Sequence, residues 1–154
     1  MAYLVIKLIH VVFVIAFLGN LTIGLFWKMF AEKTKDKDKI AFAFKGIIKA
    51  DRYFTIPGVI GITLFGIAGA MHAKIPILGT GWILWSIILF TISGVAFMAK
   101  LVPLQKKLAA LASDREKFNW DEYHKLAKQW DLWGYVALIT LWVAVIFMVI
   151  KPNI

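Results

Sequence analysis

The segment from Tyr3 to Trp27 reads YLVIKLIHVVFVIAFLGNLTIGLFW, 25 residues with Lys7 as the only charge. The hydrocarbon core of a bilayer is about 30 Å thick and takes roughly 20 helical residues to cross, so a run this long and apolar is a membrane-spanning helix. Three more such runs follow, at about 54 to 73, 82 to 102 and 132 to 150. Together they take more than half of a 154-residue chain. The expectation is an all-α integral membrane four-helix bundle, a single four-span transmembrane domain over 1 to 154 with no room for a separate soluble domain. The first span is longer than a signal-peptide apolar region, has only Lys7 as a basic flank and lacks a small-residue cleavage site; it is expected to stay as a structural helix.

The net charge of +9 raises nucleic acid as a partner, but the distribution of charge points elsewhere. Fifteen of the 18 Lys and Arg residues lie between Lys28 and Arg52 or between Lys100 and Lys128, leaving Lys7, Lys74 and Lys151. The two basic segments join spans one to two and three to four, so they share one face of the membrane. The positive-inside rule puts that face in the cytoplasm and both termini outside, as in a bacterial inner membrane. The lipid bilayer, and not nucleic acid, is the expected partner. Cysteine is absent, which excludes disulfides, iron–sulfur clusters and thiolate metal sites.

At 100° per residue, Tyr3, Lys7, His10, Phe17, Gly24 and Lys28 share about a third of the first helix's circumference, with Asn20 on the flank. A polar stripe of this kind faces other helices, because an exposed polar group in lipid costs several kcal/mol. After a solvated charge run from Lys33 to Lys39, Ile40, Phe44, Ile47 and Ile48 share one helical face while Lys45, Lys49 and Arg52 share another. This is an amphipathic helix, either lying in the membrane interface on anionic lipid or extending span two. In span two, Gly58, Gly61, Gly69 and His72 project to one side; small residues there allow close helix packing or leave room for a planar ligand. Trp82 and Trp85 mark the outer interface. Beyond Pro103 a cytoplasmic helical segment continues, and Ser113 with Glu116, then Asn119 with Glu122, have the spacing of helix starts. Trp130, Trp133 and Tyr135 anchor the inner end of span four.

His10 lies about 10 Å in from the start of its helix and His72 within a turn of the same face. A neutral imidazole is an axial ligand for haem iron, and bundle interiors commonly build such sites. Phe13 and Phe17 are placed to contact a porphyrin, and Lys7 to meet a propionate. Hydrogen bonding between helices is the competing role for such a histidine. Every acidic residue lies in or beside a loop, so no intramembrane carboxylate is expected for ion coupling. There is no phosphate-cradling glycine loop and no metalloprotease histidine pair.

Tyr3-Leu-Val-Ile-Lys7-Leu-Ile-His10-Val-Val resembles the opening of the small bacterial membrane-bound protoporphyrinogen oxidases of the HemJ type, and of a related group of uncharacterised integral-membrane proteins. Asp51-Arg52 followed by Pro57 and a glycine-rich helix, Gly81-Trp82 at the start of span three, and the run into Lys151-Pro152 are similar to further parts of that pattern. The resemblance implies haem b, with His10 as the iron ligand, and porphyrin oxidation coupled to electron transfer. Where the family has a lysine early in span three, this chain reads Trp82-Ile-Leu-Trp85-Ser86, so the uncharacterised relatives are the nearer likeness.

Three functions follow as expectations. The first is a haem- or porphyrin-binding protein in electron transfer or porphyrin handling, an oxidoreductase in its enzymatic form, with His10 as metal ligand and Lys7, His72 and Phe17 beside the cofactor. The second is a non-catalytic accessory subunit that packs on other subunits of a membrane complex or on a second copy. The third is a small solute or proton carrier using Lys7 and His10.

Overall fold

A computed structural model describes residues 1–114 and 116–153. The elements are α1 (Ala2–Lys33), α2 (Lys37–Ala50), a π turn (Asp51–Thr55), α3 (Ile56–His72), α4 (Gly81–Ala96), a second π turn (Phe97–Leu101), α5 (Val102–Ser113) and α6 (Trp120–Ile150). Since α2 runs through the first π turn into α3, and α4 through the second into α5, the chain forms four helices of 32, 36, 33 and 31 residues, each long and apolar enough to cross a membrane. At 1.5 Å per residue each is about 45 to 55 Å long, well beyond the hydrocarbon core, and the excess lies at the basic end. The all-helical, four-span expectation holds, with every helix extending past its apolar run.

Both π turns have the same cause. Pro57 and Pro103 are each the second residue of the helix that follows a π turn. A proline inside a helix lacks its N–H and presses on the carbonyl four residues back. Widening the preceding turn relieves that conflict, and the N–H groups of Ile56 and Val102 reach back five residues to the carbonyls of Asp51 and Phe97.

At the turns the helices change partners. On the basic side α2 packs on α5, flanked by α1 and α6; on the other side α1 pairs with α3 and α4 with α6. The backbones of α3 and α4 nowhere come within 8 Å of each other. The amphipathic segment is thus the extension of span two, and its face of Ile40, Phe44 and Ile47 is buried against protein. Asn119 caps α6 as its spacing predicts, accepting from the N–H groups of Asp121 and Glu122. Ser113 does not start a helix: it ends α5, its hydroxyl bonds back to the Ala109 carbonyl, and Asp114 caps the next turn.

The two halves are held by different forces. The main core, with Ile40, Phe44, Leu104, Leu108, Tyr123 and Trp130, sits on the basic side. Water drives apolar burial there, as in a soluble protein. The other half is surrounded by lipid, where burial gives no such gain and close backbone approach takes over. Ile6, His10, Phe13 and Phe17 of α1 lie on Gly69, Gly66, Gly61 and Gly58 of α3. A methyl added at Gly58 would stand 2.9 Å from the Phe17 Cβ, and one at Gly61 would enter the Phe13 ring. The glycine face thus serves close packing. Between α4 and α6, the buried hydroxyls of Ser86 and Ser93 donate to the carbonyls of Ala144 and Ala137. Lys151 over Trp82 and Lys100 over Trp133 close the two ends of that pair.

Candidate functional site

The stripe on α1 meets a different environment at each level. Nearest the termini, Lys7 is exposed, and His72, also exposed, stacks flat on Tyr3 with ring centroids 6.3 Å apart. One turn further in, the Nδ1 of His10 lies 3.0 Å from the Ile62 carbonyl. A carbonyl can only accept, so Nδ1 carries the hydrogen, and in the neutral ring the Nε2 lone pair is left free. The ring lies against Gly66, the glycine that gives it room. Inward of it Phe13 stacks on Phe65, 5.8 Å between centroids. Phe17 is buried on Gly58 and edge-on to Phe90 of α4, so it is part of the packing.

The structure does not gather these residues into one pocket. His72 lies six residues along α3 from Gly66, about 9 Å away along the axis. Among the described residues no three His, Cys, Asp or Glu side chains are grouped to hold a metal ion.

Two polar clusters lie deeper. Lys28 is 1% exposed; its Nζ is 2.7 Å from both Asp131 carboxylate oxygens and 2.9 Å from Glu32, and it stands over the Trp130 ring. Tyr123, fully buried, donates its hydroxyl to Glu32 at 2.7 Å. At the first π turn Asp51 is buried. One of its oxygens accepts from Asn20 at 3.0 Å and Thr55 at 2.8 Å, the other from Gln105 at 2.9 Å. All three donors are neutral, and no cation pairs with Asp51 among the described residues.

The Asp51 cluster corrects the expectation that no carboxylate lies inside the bundle. Asp51 stands at the end of the basic segment before span two and so reads as a charge beside a loop. Its position, however, continues the i, i+4, i+7, i+11 face begun by Ile40, Phe44 and Ile47, and that face is buried. Gln105 is likewise set among buried Leu101, Leu104 and Leu108. Of the partners of Lys28, Glu32 stands at i+4 on the same helix, whereas Asp131, 103 residues away, carried no signal in the sequence.

No curated protein and no solved structure matches the chain. Residues 4–152 match the family described as predicted integral membrane protein (DUF2269), which spans nearly the whole chain. Four membrane-length helices agree with that description, and the chain belongs to this family of predicted integral membrane proteins.

Proposed function

We propose that the protein binds haem b or a porphyrin through Nε2 of His10, in electron transfer or porphyrin handling. The observation that carries this reading is the hydrogen bond from His10 Nδ1 to the Ile62 carbonyl. Histidines that ligate metals characteristically donate their other ring nitrogen to a carbonyl or carboxylate, which holds the tautomer and aims the lone pair. A planar group also needs an open edge; in the same half of the bundle the backbones of α3 and α4 stay more than 8 Å apart, with Phe17 and Phe90 packed between. These features fit a single protein ligand from His10. They do not fit a His10–His72 pair, given the distance between the two along α3. Lys7, one turn outward and exposed, is the cation suited to a propionate. Haem bound there supplies one-electron chemistry, and the protein's part is to ligate it and hold it in an apolar setting. The test is a reduced-minus-oxidised optical spectrum of the purified protein and of His10→Ala. The variant is expected to lose the Soret band and keep its helical circular dichroism; a full Soret band in the variant overturns the assignment.

A second reading is a non-catalytic accessory subunit. It is favoured by an exposed aromatic cluster on α1, where Phe26, Trp27 and Phe30 pack on one another near the basic end. The glycine face of α3 gives it no support, because α1 fills that face. A partner that co-purifies with wild type and is lost in Phe26→Ala/Phe30→Ala would establish it, and a monomer in mild detergent would count against it. For either reading, the basic segments favour a bacterial inner membrane with the basic end in the cytoplasm.

A further inference from the structure

Between the two π turns lies a partly open cavity of about 20 Å³, lined from both. Its lining includes one polar side chain from each of the four long helices: Asn20 from α1, Asp51 from the first π turn, Gln105 from α5 and Trp130 from α6. Trp130 is 4% exposed, and its indole Nε1–H has no hydrogen-bond partner. A buried donor left without an acceptor costs about 1 to 3 kcal/mol, so such groups are rare in native proteins unless a water completes them. A water needs about 10 to 15 Å³ and two to four polar partners, and both are present.

We propose that this cavity is a binding site for one internal water molecule, which accepts from Trp130 Nε1–H and donates to the Asp51 carboxylate or to the side-chain carbonyl of Asn20 or Gln105. The chemistry of the lining selects this ligand. A metal cation would leave the indole N–H without an acceptor, and an anion would face the Asp51 carboxylate. A small neutral molecule that both accepts and donates satisfies every group. Asp51 is the only titratable residue of the lining. Residues of both π turns line the cavity, Asp51 from the first and Phe97 and Leu101 from the second. The inference is independent of haem binding at His10.

The test is nuclear magnetic resonance of full-length protein in detergent with ¹⁵N-labelled tryptophan. The Trp130 indole signal is assigned by its loss in Trp130→Phe, or, where that variant does not fold, by its through-space contacts to Phe44, whose ring meets it edge-on at 5.7 Å. The expected result is a cross-peak from the Trp130 indole proton to water that persists in wild type while the other buried protons show none. An indole proton with no water cross-peak, or one bonded to a protein carbonyl, overturns the proposal.

Discussion

Single residues decide the interior of this bundle, and the costs of losing them differ in kind. Asp51 is the common acceptor for Asn20, Thr55 and Gln105. Asp51→Leu strands those donors in a buried site, at about 1 to 3 kcal/mol for each one left unsatisfied, whereas Asp51→Asn keeps an acceptor. In detergent, Asp51→Leu is expected to melt well below Asp51→Asn; equal melting temperatures would mean the cluster does not form. Lys28 is a milder case despite its deeper burial. Its partners Glu32 and Asp131 keep side-chain exposures of 27% and 33%, so water reaches them when the ammonium is removed. Lys28→Met is expected to cost less than the roughly 3 to 5 kcal/mol of breaking a fully buried pair. Chemical denaturation of the variant checks this, with a loss at or above that range as the contrary outcome.

Between elements, the α1/α3 contact makes the sharpest forecast. A methyl at Gly61 meets the Phe13 ring, one at Gly66 comes 3.1 Å from the His10 ring, and one at Gly19 meets nothing within 4 Å. Gly61→Ala should therefore disrupt the pair, Gly66→Ala should cost less while turning the His10 ring, and Gly19→Ala should be neutral or stabilise by about 0.5 to 1 kcal/mol through helix propensity. Thermal melts of the three variants test that order. Helix ends are milder still. Asp36 caps α2, and the backbone N–H of Lys39, followed by that of Asp38 and the Lys39 charge, holds its carboxyl below the usual aspartate range. A group lowered in the folded state adds stability above its unfolded pKa of about 3.9 and loses it as pH falls through the folded value. A carbon-13 titration should show Asp36 with a midpoint below 3.9, and a midpoint at or above it would refute the cap. At this scale the sequence was readable where periodicity was local. The four spans and the Asn119 cap follow from neighbours in the chain. The exchange of partners at the π turns does not, because it depends on which helix stands opposite.

For the whole molecule, the division into a water-driven core at the basic end and a glycine- and serine-packed half around the termini explains why the site was only partly legible. The α1 stripe from His10 to Lys28 was visible as polarity on one face, and the structure turns His10, Phe17 and Lys28 inward as that pattern requires. Most of what they meet was hidden, because the Ile62 carbonyl, Asp131 and two of the donors to Asp51, Asn20 and Gln105, come from distant segments, whereas Glu32 and Thr55 each lie four residues from the group they bond. Orientation can be read directly, since the chain has no cysteine of its own. Single cysteines at Lys45 and Lys107 should be shielded from an impermeant thiol reagent in intact cells, and one at Lys74 should be labelled. The reverse pattern would invert the topology.

The proposed ligation of haem by His10 is tested by the absorbance spectrum of protein purified gently from its native membrane, oxidised and then reduced with dithionite, beside His10→Ala prepared identically. A Soret band with sharpened reduced α and β bands is expected in wild type, and its loss in a folded His10→Ala. A colourless wild-type protein at full purity, or a variant that keeps all of its haem, would contradict it.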